Sequence, residues 1–254
     1  MQLLNLLKKY IVDSQFFVAL MGTFFAIFFM LEQNVFRFPT VALIFITYFS
    51  GYLYTKFQER RFFSKILVFN VLCGIGSMIF IYLNHNEIRL LKWLIIVVLG
   101  LLYNSFFLEK FIRKIPLLKV FYVGLTWALI NSWLILQEFD FKIFTISWLF
   151  ISALVLPFDI RDMYEDQVIT FPKLIGVHKT KYLAYLLVFT ASLLSIFFIK
   201  FEFSFAFFFT TFFTYLLIFF SENRNSESYF SFWVELCSGL PLLFLILLKY
   251  FCEQ

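Results

Sequence analysis

The chain has 254 residues and a formal net charge of +5, with 62% hydrophobic residues, 15% charged residues and 42 phenylalanines. Soluble domains typically contain about 25% charged residues. The composition therefore excludes an ordinary soluble domain and indicates an integral membrane protein.

Nine apolar runs approach the roughly 20 helical residues needed to cross the hydrocarbon core of a bilayer. In chain order, these predicted spans cover residues 14–31, 40–57, 64–83, 91–108, 117–137, 143–158, 182–199, 203–220 and 229–250. No soluble domain, flexible linker or low-complexity tail interrupts them. We predict an all-α polytopic membrane protein with nine transmembrane helices, folded as a single domain over residues 1–254.

The distribution of lysine and arginine predicts the orientation in the membrane, because cytoplasmic loops are enriched in both. The N-terminus and the loops that follow even-numbered spans hold 15 of the 21 basic residues. They are Lys8, Lys9, Lys56, Arg60, Arg61, Lys65, Lys110, Arg113, Lys114, Lys119, Arg161, Lys173, Lys179, Lys181 and Arg224. We expect a cytoplasmic N-terminus and an external C-terminus in a bacterial inner membrane. The first span is expected to be retained, since no small-residue cleavage pattern follows it.

The end of the second predicted span is basic. Residues 47–60 contain one carboxylate, Glu59, and it lies among Lys56, Arg60 and Arg61. These cations either anchor the helix at the lipid headgroups or bind an anionic group directly, because lysine and arginine can neutralise phosphates without a metal. The same alternatives apply to the basic residues around the start of the fifth span, Lys110, Arg113, Lys114 and Lys119.

Three aspartates follow the sixth predicted span at helical spacing. At about 100° per residue, Asp166 lies roughly 20° and Asp162 about 60° from Asp159, whereas Glu165 points elsewhere. Three carboxylates on one face repel each other unless a cation lies between them, and Mg²⁺ prefers such hard oxygen ligands. The alternative is a solvated helix end without a metal, although helix C-termini disfavour anions.

The segment after these aspartates, residues 167–180, is predicted to be a polar, basic loop because it contains a proline and a glycine, which favour turns. Here the sequence resembles the UbiA superfamily of intramembrane prenyltransferases. The three aspartates match its D-x-x-D-x-x-x-D segment at the cytoplasmic end of the sixth helix. Thr170, Pro172 and Gly176 match the T-x-P-x-x-x-G pattern that follows.

The resemblance implies a fold of nine helices and a cytoplasmic Mg²⁺ site on Asp159, Asp162 and Asp166, which would also be the catalytic residues. It implies transfer of a prenyl group from a prenyl diphosphate to a lipophilic or aromatic acceptor, such as a quinone precursor. The expected partners are these two substrates and membrane lipids, and nucleic acid is not expected. The candidate diphosphate-binding residues are Lys173, Arg161, Tyr103, Lys119, Lys56 and Arg60.

One part of the UbiA pattern is missing. The family has a first Asp-rich segment at the end of the second helix, but residues 47–60 contain no aspartate. Ligands for at least one metal are therefore lost. This favours, as an alternative, a catalytically degenerate isoprenoid-binding protein or partner subunit. A small transporter is a further alternative, but it would ordinarily need polar residues at the bilayer midplane and internal repeats.

Few other ionisable residues suggest a function. Glu235 lies inside the ninth span, where a carboxylate is a functional candidate, although a place near the start of a helix also fits a dipole or headgroup contact. Arg161 belongs to the aspartate motif but can also face lipid headgroups. The cysteines are too dispersed for a metal motif, and His85 and His178 are predicted on opposite sides of the membrane.

Overall fold

A computed structural model describes residues 15–58, 60–103, 117–165 and 168–252. These residues form ten α-helices, which are α1 (Phe16–Glu32), α2 (Phe38–Lys56), α3 (Phe63–Leu83), α4 (Glu87–Tyr103), α5 (Leu118–Leu129), α6 (Phe141–Arg161), α7 (Phe171–Ile175), α8 (Val177–Phe198), α9 (Phe201–Phe220) and α10 (Glu235–Cys252). Two π-helical segments adjoin them, Ile130–Leu134 after α5 and Tyr229–Val234 before α10. The all-α class predicted from the sequence is confirmed.

Six helical stretches in the described residues are long and apolar enough to cross a membrane. They are α2, α3, α6, α8, α9 and the continuous stretch Tyr229–Phe251. Helix α1 is apolar but has only 17 residues. Each of the nine predicted spans overlaps one of the ten helices, yet the count of nine transmembrane helices is not confirmed and stays a prediction.

The hydrophobic core is built around α1 and α6. Helix α1 packs on α2 and α10, and α6 packs on α5 and α8. Six α1 residues are fully buried, namely Ala19, Phe25, Ala26, Phe28, Phe29 and Met30. The ring of Phe25 contacts that of Phe150 on α6 with centroids 5.6 Å apart. The two helices thus form one continuous apolar interior.

Helix α3 lies at the edge of the bundle and exposes much of its apolar surface. Leu67, Val68, Val71 and Leu72 are all exposed. A water-soluble protein rarely exposes so large an apolar patch. The helix is therefore suited to contact with lipid, as the composition predicts.

The predicted loop at 167–180 is wrong from residue 171 onward. Residues Phe171–Ile175 form α7, whose first turn contains Pro172, a position where the missing proline N–H costs nothing. Gly176 then adopts a φ of +83°, which glycine tolerates without a steric penalty, and separates α7 from α8. Helix α8 consequently begins at Val177, before the apolar run of the seventh predicted span.

A buried lysine binds backbone carbonyl groups at one end of the bundle. Lys92 of α4 is 5% exposed, and its Nζ donates hydrogen bonds to the carbonyl oxygens of Trp133 (3.1 Å), Leu136 (3.0 Å) and Gln137 (2.7 Å). These carbonyls lie at and just beyond the Ile130–Leu134 π segment, where the helix supplies no further backbone N–H groups to donate to them. The ammonium therefore caps the C-terminal end of that segment.

Two other cations lie near the same end of the bundle. The Nη1 atom of Arg89 donates a hydrogen bond to Oγ1 of Thr40 at 3.0 Å. The ammonium of Lys200 donates to the carbonyl oxygen of Glu32. We call this end, which contains Arg89, Lys92 and Lys200, the closed end.

Candidate functional site

The opposite end of the bundle contains the C-terminal end of α6 and the candidate aspartates. We call it the site end and define it by Lys56, Tyr103, Lys119 and Arg161. All four residues were predicted from the sequence to bind diphosphate. They lie at the ends of α2, α4 and α6 and in the first turn of α5.

Asp159 is the buried carboxylate of the site end. The residue is 1% exposed, and the Nζ atom of Lys119 lies 3.2 Å from its Oδ1 atom. The Lys119 side chain is 25% exposed, so the pair connects the interior with the surface. Because an isolated buried carboxylate is strongly disfavoured, the packing of α5 on α6 supplies the countercharge that allows Asp159 to remain inside.

Asp162 is paired with its neighbour Arg161. The guanidinium donates two hydrogen bonds to the Asp162 carboxylate, Nε to Oδ1 at 2.5 Å and Nη2 to Oδ2 at 2.9 Å. It also lies over two rings, 5.2 Å from the centroid of Phe158 and 5.6 Å from that of Phe230. Arg161 is thus held between α6 and the π segment before α10.

The expectation that three aspartates share one helical face does not hold along the whole motif. Helix α6 ends at Arg161, and Asp162 is its C-cap, with its N–H donating to the carbonyl oxygen of Phe158 at 2.9 Å. Residues 162–165 then form a turn. Asp159 points into the bundle and Asp162 lies at the rim, while Asp166 is outside the described residues.

Aromatic side chains extend from the site end into the bundle along α2. We call Tyr48, Tyr52 and Trp127 the aromatic stripe. Tyr48, Tyr52 and Lys56 recur every four residues and therefore share one face. The indole N–H of Trp127 donates to the Tyr52 hydroxyl at 3.1 Å, and the Trp127 ring contacts that of Tyr48 at 4.7 Å. A Cβ on Gly22 would lie 3.0 Å from both Tyr48 and Trp127, so the absence of a side chain there admits the two rings.

Glu235 faces the site end from the first turn of α10. The residue is partly buried and directly follows the π segment Tyr229–Val234. The sequence marked Glu235 only as an ionisable residue in an apolar span. Its position depends on the packing of α10 on α1 and α6, which no local pattern reports.

The other predicted binding residues lie around this centre. The Tyr103 ring stacks on that of Tyr122 with centroids 5.8 Å apart. Lys173 is exposed on α7, where its Nζ is 3.4 Å from the carbonyl oxygen of Val168. Arg60 is exposed in the turn after α2. The candidates Lys110, Arg113, Lys114 and Glu59 lie outside the described residues.

The donor chemistry of the site end fits Mg²⁺. Among the described residues, no three histidine, cysteine, aspartate or glutamate side chains lie close enough together to hold a metal ion. However, Mg²⁺ in phosphate-transfer sites is usually bound by only one or two carboxylates together with substrate phosphates and water. Asp159 and Asp162 provide two such oxygen donors on one helix end.

A separate groove of about 810 Å³ opens beside the site end. It lies between α8, the end of α9 and the π segment before α10. Its lining residues include Lys181, Tyr185, Glu222 and Tyr229, and none of the predicted site residues. Lys181 donates to the carbonyl oxygen of Phe219 at 2.7 Å, so its charge already caps α9.

Comparison with known proteins supports the fold. No protein-family model matches the sequence, and no curated protein matches it. Two solved structures of a UbiA homolog from Archaeoglobus fulgidus do match, one bound to GPP and Mg²⁺ and the other bound to DMAPP and Mg²⁺. In each comparison the TM-score is 0.61 at 12% identity, covering 94% of this chain and 96% of the other. The chain therefore has a UbiA-like fold, as the aspartate motif predicts.

Proposed function

We propose that this chain, whose helices adopt the UbiA-like fold, is an intramembrane prenyltransferase of that superfamily. It would transfer a prenyl group from a prenyl diphosphate to a lipophilic or aromatic acceptor, such as a quinone precursor. The observation that carries the proposal is the pair of ion-paired carboxylates, Asp159 and Asp162, at the end of the bundle from which the aromatic stripe of α2 runs inward, in this fold. The prenyl diphosphates GPP and DMAPP bound to the A. fulgidus homolog support the substrate class.

The proposed roles at the charged rim follow from the residue types. Asp159 and Asp162, with Asp166, would hold Mg²⁺. When bound, Mg²⁺ supplies positive charge that stabilises the departing diphosphate. Lys119 and Arg161 would bind phosphate oxygens directly, and Arg161 can do so through two parallel hydrogen bonds. In the structure both cations instead neutralise the carboxylates, so substrate binding would require an exchange of partners.

The aromatic stripe is suited to the reacting end of the prenyl group. Tyr48, Tyr52 and Trp127 offer ring faces that can stabilise an allylic cation and exclude water. The Tyr48 hydroxyl is buried and has no hydrogen-bond partner among the described residues. It can therefore orient a bound substrate without breaking an existing contact. Lys56, one turn beyond Tyr52, would then lie near the diphosphate.

A second candidate function is isoprenoid binding without catalysis, either alone or as a partner subunit. It is favoured by the end of α2, where residues 47–58 contain no carboxylate and where Lys56 is the charged group. A site with fewer metal ligands stabilises the leaving group less. It can still bind a prenyl diphosphate through its cations.

A transfer assay distinguishes the two functions. Purified protein in nanodiscs would receive Mg²⁺, labelled prenyl diphosphates of several chain lengths and a membrane extract as the source of acceptor. We expect a labelled lipophilic product that disappears in Asp159→Asn and persists in Glu165→Gln, a variant of an exposed neighbour. Diphosphate binding without product in any acceptor fraction would contradict the proposed prenyltransferase activity. It would favour isoprenoid binding without catalysis.

We further propose that the protein lies in a bacterial inner membrane with its N-terminus and site end in the cytoplasm. The basic residues of the loops after α2, α4 and α6 support this orientation. Alkaline-phosphatase fusions test it, because the reporter is active only outside the cytoplasm. A fusion after Lys173 should be inactive and one after Asn86 active, whereas the reverse result would overturn the orientation.

A further inference from the structure

The groove beside the site end lies at the ends of two long apolar helices. Its lining comes from the N-terminal part of α8, the last turn of α9 and the loop 221–228. Both helices are long and apolar enough to cross a membrane, so these ends lie near the headgroups of the bilayer. Its volume of about 810 Å³ is within the range of small-molecule binding sites. The groove is therefore large enough, and at the right depth, to hold a lipid headgroup.

Aromatic rings form much of the groove wall. On α8, the rings of Tyr182 and Tyr185 meet edge to face with centroids 6.3 Å apart. At the end of α9, Phe219 and Phe220 are both exposed, although they are large and apolar. Tyrosine is typical of the interface between lipid and water. Ring faces also attract an ammonium group, so this wall suits both acyl chains and a cationic headgroup.

The lining carries one lysine and one glutamate. The ammonium of Lys181 has three N–H donors, and it uses one of them on the carbonyl oxygen of Phe219 at 2.7 Å. The other two can donate to a phosphate. Glu222 is exposed and forms no ion pair among the described residues. A ligand with one negative and one positive group therefore matches the groove, whereas a purely anionic ligand is repelled by Glu222.

We propose that this groove binds the headgroup of a zwitterionic phospholipid that carries a primary amine. Lys181 binds the phosphate, and Glu222 accepts hydrogen bonds from the ammonium, which also lies against the tyrosine rings. Phe219 and Phe220 contact the acyl chains. A quaternary ammonium is disfavoured, because it has no N–H to donate to the carboxylate. The inference does not depend on the proposed prenyl transfer, since none of the predicted site residues lines the groove.

Native mass spectrometry of the delipidated full-length protein tests the headgroup preference. The protein is titrated with dioctanoyl forms of phosphatidylethanolamine, phosphatidylcholine and phosphatidylglycerol. We expect phosphatidylethanolamine to bind about tenfold more tightly than phosphatidylglycerol, which lacks the ammonium and is repelled by Glu222. Phosphatidylcholine should bind with intermediate affinity. Equal affinity for all three lipids, a preference for phosphatidylglycerol, or no binding would overturn the inference and leave the proposed prenyl transfer unaffected.

Reversal of the charge at Glu222 gives the sharpest variant. In Glu222→Lys the preference should change to phosphatidylglycerol, because two cations then line the groove. A purely structural defect would weaken the binding of every lipid and would not reverse the order. Glu227→Lys is the matched control, since Glu227 is exposed in the same loop but does not line the groove. An unchanged order in Glu222→Lys, or the same reversal in Glu227→Lys, would contradict the proposed site.

A second pair of variants tests the phosphate contact. Lys181→Gln should weaken phosphatidylethanolamine binding by about fivefold or more, because hydrogen bonds from a charged donor are stronger than those from a neutral one. Lys179→Gln should leave it within about twofold, since Lys179 is exposed on α8 but is not part of the lining. Equal losses in the two variants would show that general surface charge, and not the groove, attracts the lipid.

Discussion

The two ends of the bundle use their cations differently. At the closed end, Lys92 and Lys200 donate to backbone carbonyl oxygens, which cannot leave and carry no net charge. At the site end, Lys119 and Arg161 are paired with carboxylates that can equally bind a metal. The same residue types therefore stabilise the fold at one end and leave exchangeable charges at the other.

The largest effect is expected from Asp159→Asn, which removes the buried carboxylate of the site end. Even changes behind metal ligands commonly cost 10–100-fold in metal affinity. We therefore expect Mg²⁺-dependent binding of pyrophosphate to weaken by about 100-fold or more. Isothermal titration calorimetry of the purified protein would measure it.

Glu165→Gln is the control for that change, because Glu165 is an exposed carboxylate in the turn after α6. Its pyrophosphate affinity should be that of the wild type. Equal losses in Asp159→Asn and Glu165→Gln would show that the effect comes from overall charge. No loss of pyrophosphate affinity in either variant would show that Asp159 takes no part in this binding.

The next effect is expected at the closed end, from Lys92→Met. Hydrogen bonds from charged groups contribute about 1.5–3 kcal/mol each, and Lys92 makes three of them to carbonyl oxygens. Water and neighbouring side chains will replace part of the loss, so we expect destabilisation of about 2 kcal/mol. The thermal unfolding temperature in detergent should fall, while pyrophosphate affinity at the site end is retained.

Lys142→Met provides the comparison for Lys92. Lys142 is exposed, and its Nζ lies 5.5 Å from the centroid of the Phe198 ring. A cation–π contact at an exposed site contributes only about 0.5–1 kcal/mol. If Lys92→Met lowered the unfolding temperature no more than Lys142→Met, the capping role of Lys92 would be wrong.

The smallest effect is expected from Phe230→Leu, which removes one of the two rings that hold Arg161. The leucine keeps the buried position apolar, and the Phe158 ring and the Asp162 carboxylate still restrain the guanidinium. We expect pyrophosphate affinity to fall by about two- to fivefold, in line with a cation–π contact of roughly 0.5–1 kcal/mol. An unchanged affinity would mean that the ring packs on Arg161 without positioning it for binding.

The helical regions were largely predictable because their apolar runs are long. The sixth predicted span, 143–158, lies within α6 (Phe141–Arg161) and misses only a few residues at each end of the helix. The seventh was predicted to begin at residue 182, whereas α8 begins at Val177, because hydropathy does not register a helical turn of polar residues. Helix α7 was missed because it has only five residues and contains Pro172. The π segments were not predictable, since a shift from α- to π-type hydrogen bonding does not change the pattern of apolar residues in the sequence.

The site was predictable only in part. The aspartates and Arg161 were identified from one local motif, and the cations Lys56 and Lys119 from the distribution of charge. Which charges meet was not predictable, because the contact of Lys119 with Asp159 joins residues on two different helices. Glu235 was noticed for its charge, but its place in the bundle is set only when α10 packs on α1 and α6.

The central claim is that the site end exchanges its internal ion pairs for Mg²⁺ and a diphosphate. Titration of the wild-type protein in nanodiscs with geranyl diphosphate, followed by a count of bound Mg²⁺, tests it most directly. Because the second helix offers no aspartates, we predict saturable binding with about one Mg²⁺ per chain. Failure to bind geranyl diphosphate with or without Mg²⁺ would contradict the account.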